Sequence, residues 1–348
     1  MRRRFSFLPL ISAFFLTFAS CADKFCENNG FVWGTSYHIV YSAGDAGGRD
    51  LHDSVRAVMA AIDRSLSVFD EASLVSAVNA GTTDSVDALF ADVFATSRRV
   101  WKASAGAFDP TVGPLVDLWG FGPGGSADRE PSDSMIAAAK ALVGLGGCSV
   151  SGGRVVKKNP GTRFDFSSIA KGYGVDLVAR MLARNGCRDY MVEIGGEIAL
   201  RGHNPRDRRW HIQIDAPVEP DSASASVHER LMVLPFGPEP VAIASSGDYR
   251  NRRSFGEENG GGKSYGHTID PLTGRPRGGR TLGVTVIAPD CILADALATA
   301  GMAMDADSAM AMIKAFPRTE ALMVLADSAG GFVVLASPGW PAEGAAIR

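Results

Sequence analysis

Short strands that follow one another through tight turns constrain this fold more than any other feature of the sequence. Residues 189–194 and 197–201 both have the composition of strands, and only Gly195 and Gly196 separate them. A two-residue glycine turn joins antiparallel strands, whereas parallel strands need a crossover of a dozen or more residues. A purely parallel sheet is therefore excluded, although helices and strands are interleaved along the chain.

Hydrophobic spacing separates helices from strands in the rest of the chain. Apolar residues three and four positions apart predict a helix that begins near residue 170 and others over 51–69, 74–79, 86–104, 132–142, 291–304 and 306–316. Alternation predicts strands over 32–41, 149–157, 189–194, 197–201, 210–215, 230–235, 240–245, 282–288, 321–326 and 331–336. Residues 105–128 and 246–264 are expected to be irregular. We therefore expect an α+β fold with mixed, largely antiparallel sheets, packed helices and two intimate subdomains.

The N-terminus has the pattern of an export signal. Arginines at 2–4 precede an apolar run over 5–18, and small residues then lead to Cys21. This order resembles the lipobox of bacterial lipoproteins, which implies a signal peptide over 1–20, lipidation of Cys21 and a lipid-anchored tether over 21–30. An uncleaved membrane anchor is the alternative, but the apolar run is short for a full span. We expect a lipid-anchored protein of the bacterial cell envelope that faces the periplasm or the exterior.

The charge balance argues against a nucleic-acid partner. The formal net charge is −3, and it becomes −6 without the three arginines of the leader. An acidic chain has no excess of cations with which to neutralise phosphates. Besides Cys21, the chain has four cysteines whose spacing fits no zinc signature, namely Cys26, Cys148, Cys187 and Cys291. Export permits disulfides, but the sequence leaves paired and free thiols open.

The segment DFSSIAKGYGVD is typical of a turn that runs into a helix. Ser167 and Ser168 are candidate N-caps, because their hydroxyls can accept the unpaired amides of a first helical turn. Lys171 adds a positive charge, and Gly172 and Gly174 would let a ligand approach the backbone. Since a helix start also offers free N–H groups, the segment predicts a phosphate site. An ordinary capped helix with a surface lysine is the alternative.

A metal site is indicated by Asp295 and Thr299, four residues apart in a predicted helix. Positions i and i+4 share one face of a helix. A carboxylate and a hydroxyl are hard oxygen ligands, which suit Mg²⁺ better than zinc or copper. The alternative is an exposed aspartate beside a threonine that bonds to its own helix backbone.

The stretch over 104–114 has no periodicity but is rich in residues with special backbone requirements. Asp109 precedes a proline and is held extended, and Phe108 could stack on a flat ring. Such a loop in a compact domain is more often functional than idle. An Ω-loop packed by its own apolar side chains is the alternative.

Three further polar residues lie beside turns. Glu193 and Glu197 flank the double glycine, where they face either a site or solvent. His267 begins a turn that contains Pro271 and Gly274. A single histidine is usually structural, but one at such a turn could serve as an acid or a base.

Seven stretches, in this order, resemble those of the FAD:protein FMN transferase family, the ApbE-type flavin transferases. They are GTSY (34–37), GAFDPTVGP (106–114), DFSSIAKG (165–172), VEIGGE (192–197), SGDY (246–249), HTIDPLTG (267–274) and LADALAT (293–299). They extend over nearly the whole chain after the leader, and a lipoprotein leader is common in this family. The resemblance implies a flavin transferase catalytic domain over 31–340, with a T-fold-like architecture.

The resemblance also implies a role for each matching residue. Ala170, through its carbonyl, would ligate Mg²⁺ together with Asp295 and Thr299; Asp295 is thereby catalytic, and His267 would transfer a proton. The residues implied to bind FAD are Trp33, Phe69, Ala107, Phe108, Asp109, Ser167, Lys171, Tyr173, Thr268 and Ile269. Two of them depart from the family's pattern, which often has methionine at the position of Trp33 and tyrosine at that of Phe69.

The implied activity is Mg²⁺-dependent transfer of the FMN moiety of FAD, through a phosphoester bond, to a threonine or serine of a target flavoprotein, with release of AMP. The implied acceptors are exported or membrane-bound flavoproteins, such as subunits of sodium-pumping quinone reductase or related electron-transfer complexes. Two alternatives stay open. One is an FAD pyrophosphatase that gives free FMN and AMP, and the other is a non-enzymatic flavin-binding lipoprotein.

Overall fold

The computed structural model describes residues 25–44, 47–123, 129–217, 230–247, 252–255, 263–328 and 331–341. The strands are β1 Phe25–Val32, β2 Thr35–Ser42, β3 Cys148–Ser151, β4 Arg154–Lys157, β5 Tyr190–Ile194, β6 Glu197–Arg201, β7 Trp210–Asp215, β8 Arg230–Phe236, β9 Val241–Gly247, β10 Arg252–Phe255, β11 Lys263–Gly266, β12 Ile269–Asp270, β13 Arg275–Pro276, β14 Thr281–Ala288, β15 Glu320–Ala326 and β16 Phe332–Ala336. The helices are α1 His52–Leu66, α2 Leu74–Ala80, α3 Ala88–Ala103, α4 Gly113–Leu118, α5 Asp133–Lys140, α6 Ala170–Arg184, α7 Cys291–Met302 and α8 Ala306–Lys314. The predicted signal peptide, the predicted lipidation site Cys21 and residues 248–251 lie outside the described residues.

One large antiparallel sheet organises the fold. Its strands have the order β1-β2-β5-β6-β9-β14-β15-β16, and each neighbouring pair is antiparallel. Gly195 and Gly196 join β5 to β6 with φ values of +65° and +99°. Residues with a Cβ rarely adopt such a backbone, so the double glycine specifies this turn. The predicted hairpin and the largely antiparallel α+β fold class are confirmed.

Different structural elements pack against the two faces of this sheet. Ala244 and Val286 point to the side on which α3, α6 and α7 build a core, which we call the helix face. Ile243 and Ile287 point to the opposite side, where the β7–β8 hairpin packs, which we call the hairpin face. Because side chains alternate along a strand, consecutive residues contribute to different cores.

The expected tether over 21–30 is wrong from Phe25 onward. All eight residues of β1 pair with β2, so this segment forms an edge strand of the large sheet. Asn28 and Gly30 give the segment a poor strand composition, and the sequence alone did not indicate it. The pairing partner β2, and not local propensity, therefore decides the conformation of this segment.

Three further segments differ from their predicted secondary structure. Residues 105–128 contain α4, residues 149–157 form the hairpin β3–β4 rather than one strand, and part of 246–264 forms the hairpin β10–β11. Gly152 and Gly153 both have positive φ and turn the chain between β3 and β4. The strands β10 and β11 contain few apolar residues, and α4 spans only six residues, so hydrophobic spacing gave no signal for these elements.

Two further findings concern the cysteines and the hydropathy of the helices. Cys26, Cys148, Cys187 and Cys291 are free thiols in the structure. Across the described ranges, none of the helices has both the length and the hydropathy needed to cross a bilayer.

Candidate functional site

The beginnings of α6 and α7 lie against each other on the helix face of the sheet. The Gly172 amide donates a hydrogen bond to Asp295 Oδ2 at 2.9 Å. A Cβ at Gly172 would meet the Cys291 carbonyl oxygen and would lie 2.7 Å from Asp295 Cβ. A Cβ at Gly174 would likewise overlap the Trp33 ring. The expectation that these two glycines admit a ligand is therefore wrong, because protein atoms already occupy the space beside them.

The start of α6 is not capped as the sequence suggested. The N-cap position is Ile169, without a side-chain cap, so the prediction that Ser167 and Ser168 cap the helix is wrong. Asp165 Oδ1 instead accepts a hydrogen bond from the Ser167 amide at 2.9 Å, and the Ala170 amide donates to the Phe166 carbonyl. A preceding turn, held by an aspartate, supplies the hydrogen bonds that a serine cap would otherwise have made.

Oxygen atoms from three separate stretches meet beside this helix start. Thr299 Oγ1 donates to the Ser168 carbonyl oxygen at 3.3 Å and lies 3.4 Å from Ser246 Oγ. Asp295 lies one turn earlier on α7, and its side chain is buried. The alternative of an exposed aspartate and a threonine bonded to its own helix is therefore wrong. We call Asp295, Thr299, Ser168 and Ser246 the oxygen cluster.

The oxygen cluster has the donor chemistry of a hard-cation site. A carboxylate, two hydroxyls and a backbone carbonyl suit Mg²⁺, which needs few protein ligands because substrate oxygens and waters complete its shell. Thr299 contacts the carbonyl of Ser168, two residues before Ala170. Ala170 as a ligand therefore stays a prediction, and Ser168 becomes a second candidate carbonyl.

A charged pair lies next to the oxygen cluster. Lys171 Nζ is 2.8 Å from Glu197 Oε2, and the exposed fractions of the two side chains are 33% and 2%. Burial raises the pKa of Glu197, although the lysine opposes this rise. Burial likewise raises the pKa of Asp295 to about 6, against the opposing effects of Lys171 and of the Gly172 amide. The predicted phosphate at this helix start would therefore share Lys171 with Glu197.

The loop over 104–114 is held together by the side chain of Asp109. Its Oδ1 accepts hydrogen bonds from the amide and the hydroxyl of Thr111, and its Oδ2 accepts one from the Leu145 amide. Burial raises the pKa of Asp109. Phe108 is buried in the core on the helix face, so its ring is not presented to a ligand, and Ala107 is also buried. This loop can therefore contact a ligand mainly through its backbone.

The turn that begins at His267 packs against the same loop. A Cβ on Gly106 would lie 3.5 Å from Leu272 Cδ2, and the Trp119 indole donates to the Gly274 carbonyl at 2.9 Å. His267 is exposed, whereas Thr268 and Ile269 are buried. The structure thus brings the turn and the loop together, with the histidine at their surface.

The remaining aromatic candidates have unequal access to solvent. Phe69 is 65% exposed, between α1 and α2. Trp33 is partly buried, with φ of +50°, and its indole donates to Asp63 Oδ1 at 2.7 Å. Tyr173 is buried and its hydroxyl donates to Asp92 Oδ2 at 2.7 Å, which fixes the ring against α3. Phe69 is therefore the accessible ring, and Tyr173 is a core residue at the site's base.

Sequence reasoning did not assign a role to Asp176. Its carboxylate accepts hydrogen bonds from the Cys291 and Ile292 amides at 2.8 and 2.9 Å, and therefore caps α7 from the neighbouring helix. Burial raises the pKa of Asp176 to about 6. An aspartate within the apolar pattern of this helix was the available signal, but its two partners lie 115 and 116 positions away in the sequence.

Contacts between the seven stretches bring them to one end of the sheet. Gly195 donates to the Ser36 carbonyl, Asp165 donates through its amide to Pro110, and the oxygen cluster joins the stretches around 168, 246 and 295. Residues 248 and 249 of the SGDY stretch lie outside the described residues.

Known proteins resemble this chain over most of its length. A model of the ApbE family matches residues 33–323. The FAD:protein FMN transferase of Vibrio cholerae is 37% identical over 292 residues, which cover 82% of this chain and 84% of that protein. The FAD:protein FMN transferase of Haemophilus influenzae is 33% identical over 335 residues, which cover 92% and 93% of the two chains.

Solved structures are also similar to this chain. The flavin transferase ApbE from Vibrio cholerae has a TM-score of 0.77 at 35% identity, with 90% of this chain and 97% of that chain covered. The apo form of the flavinyl transferase ApbE from Pseudomonas stutzeri has a TM-score of 0.78 at 33% identity, with 91% and 95% covered.

Proposed function

The chain belongs to the ApbE family, and we propose on that premise that it is an FAD:protein FMN transferase. It moves the FMN moiety of FAD to a serine or threonine hydroxyl of a target flavoprotein and releases AMP. The oxygen cluster carries the proposal, because hard oxygen donors from three family stretches converge beside a helix start. Phosphoryl transfer depends on such positioning and charge stabilisation more than on covalent chemistry by the enzyme.

The proposed transfer exchanges one P–O bond for another. The acceptor's hydroxyl oxygen attacks the phosphorus that belongs to the FMN half of FAD. The bond from that phosphorus to the bridging oxygen breaks, and AMP leaves with this oxygen and the bonding electrons. The hydroxyl proton passes to a base, and the flavin keeps its redox state throughout.

The oxygen cluster supports Mg²⁺ as the required cation. Asp295 and Thr299, with the carbonyl of Ala170 or Ser168, would hold the ion. When bound, Mg²⁺ would act as a Lewis acid and template that neutralises the charge on the phosphate oxygens. Lys171, which Glu197 orients, would add a supporting positive charge near the phosphates.

Two residues are assigned to the acceptor and the flavin. His267 is exposed beside the loop over 104–114, and it would accept the proton of the acceptor hydroxyl. Phe69 is an exposed aromatic ring and is available for the isoalloxazine. Trp33, Ala107, Phe108, Asp109, Ser167, Tyr173, Thr268 and Ile269 would shape the rest of the FAD site, the buried ones through backbone groups and packing.

The leader supports a place of action in the bacterial cell envelope. Cleavage before Cys21 and its lipidation would anchor the enzyme and bring it to exported or membrane-bound flavoproteins, such as electron-transfer subunits. A Cys21→Ser variant should lose labelling by a radioactive fatty acid. Unchanged labelling would contradict the lipid anchor.

The decisive experiment incubates the protein, Mg²⁺ and FAD with exported flavoproteins that carry a candidate threonine. Flavin fluorescence that remains on the acceptor band of a denaturing gel, with AMP released in equal amount, is the expected result. Free FMN and AMP without a labelled band would instead indicate a pyrophosphatase. Tight FAD binding without turnover at saturating Mg²⁺ would indicate a flavin-binding protein.

A further inference from the structure

A cavity of about 440 Å³ lies on the hairpin face of the sheet, across from the flavin-site candidates. Its floor includes Ile198, Ile243 and the hydroxyl-bearing Ser245 and Thr285, and Ile212 of β7 covers it. This volume is within the range of about 300–1,000 Å³ that ligand sites have. None of the residues assigned above to FAD contributes to the lining, so this cavity is a separate space.

A partly buried pair of hydroxyls distinguishes this cavity from an ordinary packing gap. Ser245 and Thr285 are register partners in β9 and β14, and their hydroxyl oxygens lie 2.9 Å apart. They point to the hairpin face, where their neighbours Ile243 and Ile287 belong to an apolar core. Hydroxyls in such a wall offer a bound chain hydrogen-bond partners that an apolar floor lacks.

The cavity and the oxygen cluster have Ser246 in common. Ser246 follows Ser245 on the same strand and lines the cavity, while its hydroxyl oxygen lies 3.4 Å from Thr299 Oγ1 on the helix face. Gly195, Gly196 and Gly283 also line the cavity and add no side-chain bulk to its wall. A chain that lies in the cavity can therefore present a residue to the oxygen cluster around the end of the sheet.

The charged residues of the lining have one sign. Glu193 and Asp215 are acidic, and none of the described residues that line the cavity is a lysine or an arginine. Glu193 Oε1 accepts a hydrogen bond from the Gly196 amide at 2.8 Å, which fixes it at the turn. Asp215 accepts one from the Gln213 side chain. This balance favours a neutral or cationic segment and disfavours an acidic one, since like charges repel.

We propose that this cavity binds the acceptor polypeptide, as an extended segment with neutral or basic side chains next to the serine or threonine that receives FMN. The inference rests on the proposed transferase function and adds to it the acceptor's site and chemistry. The acceptor and FAD then approach the oxygen cluster from opposite faces of the sheet, and the hydroxyl meets the phosphorus at the sheet's end.

The test uses the full-length protein with Mg²⁺, FAD and a library of ten-residue peptides that carry one central threonine in random surroundings. Sequencing of the flavinylated peptides should show depletion of aspartate and glutamate next to the threonine. Ser245→Phe, which fills the cavity, should raise the acceptor KM at least about tenfold. It should leave FAD affinity, measured by flavin fluorescence, within twofold of the wild-type value.

Two further variants separate the acceptor site from folding. Ser245→Ala removes the hydroxyl without filling the cavity and should raise the acceptor KM less than Ser245→Phe does. Glu193→Gln keeps an oxygen that can accept the hydrogen bond of the Gly196 amide, and it should weaken the discrimination against acidic peptides. This variant tests the inference independently of whether Ser245→Phe folds. Equal losses of FAD and acceptor binding in a folded Ser245→Phe, or no charge preference in the wild type, would overturn the inference.

The outcomes also separate this inference from the proposed function. Flavinylation of a whole acceptor protein without flavinylation of any peptide would overturn the cavity as a site for a short extended segment, while the transferase function would stand. Hydrolysis of FAD, or FAD binding without turnover, in the presence of every acceptor offered would overturn both.

Discussion

Asp295 and Gly172 are joined by a hydrogen bond of 2.9 Å although they lie 123 positions apart in the chain. The carboxylate on α7 receives the amide of the first turn of α6, so the candidate metal ligand also ties the two helices together. Loss of the charge and loss of the hydrogen bond are therefore different perturbations, and they can be separated by the choice of substitution.

Asp295→Asn should keep the contact with Gly172 and lose the anionic ligand. We expect a folded protein whose FMN transfer falls on the order of 100-fold or more, because charge stabilisation of several kcal/mol is lost. Asp295→Ala should lose stability as well as activity. Initial rates of FMN transfer across a Mg²⁺ titration measure this effect, and thermal melting controls for folding. An unchanged Mg²⁺ dependence in Asp295→Asn would contradict the assignment of Asp295 as a metal ligand.

Gly172→Ala should lower the free energy of unfolding by about 1–3 kcal/mol, because its methyl group would overlap the Cys291 carbonyl and Asp295. Without that overlap, the same change in a helix would stabilise the protein by up to about 1 kcal/mol. The matched control is Gly237→Ala, whose Cβ would have no neighbour within 4 Å. Urea midpoints measure the effect, and equal midpoints for both variants would show that α6 and α7 are not tightly apposed.

Lys171→Met should destabilise the protein more than Glu197→Gln does. Glu197 is 2% exposed and would keep a buried carboxyl group without its hydrogen-bond partner, whereas Lys171 is 33% exposed and can turn toward water when its partner is neutral. An unpaired buried polar group costs about 1–3 kcal/mol, and more when it is charged. Urea denaturation of both variants at one pH decides the order, and the reverse order would indicate that Glu197 has other buried partners.

Asp176 should make stability depend on pH in a predictable direction. Its pKa in the folded protein is raised from 3.8 to about 6, so the folded state binds the proton more tightly than the unfolded state does. The stability that this group contributes is then fully present at low pH and is lost as pH rises through about 6. The change amounts to about 3 kcal/mol at 1.36 kcal/mol per pKa unit.

Comparison with Asp176→Asn isolates this effect from all other titrations. The free energy of unfolding of the wild type, minus that of the variant, should decrease between pH 4 and pH 7. An increase over the same interval would mean that the two amide hydrogen bonds of α7 outweigh burial and that the pKa of Asp176 is lowered.

His267→Ala should slow turnover by about 100-fold, the usual range for loss of a general base, and leave FAD affinity nearly unchanged. His211, exposed on β7, provides a matched control, and His211→Ala should have no effect on either quantity. The kcat and the dissociation constant for FAD are measured separately. Equal losses in both would make His267 a binding or structural residue.

The local elements of this protein follow from its sequence because their signals are local. The predicted helices over 51–69 and 86–104 correspond to α1 and α3, whose apolar stripes repeat within each segment. The β5–β6 hairpin follows from two adjacent glycines that accept positive φ. The order of the seven stretches also sufficed to indicate the family, since each stretch is contiguous in the chain.

The tertiary structure decided which of these residues meet, because each meeting joins distant parts of the chain. β1 is a strand only because β2 lies beside it, and Gly172 and Gly174 are needed for helix packing and for the Trp33 ring rather than for a ligand. Ser245 and Ser246 are neighbours in the sequence, yet they point to opposite faces of the sheet. Hydrophobic patterns specify which side chains are buried. The partners of each buried side chain are determined only when the elements pack together, and the oxygen cluster forms only through that packing.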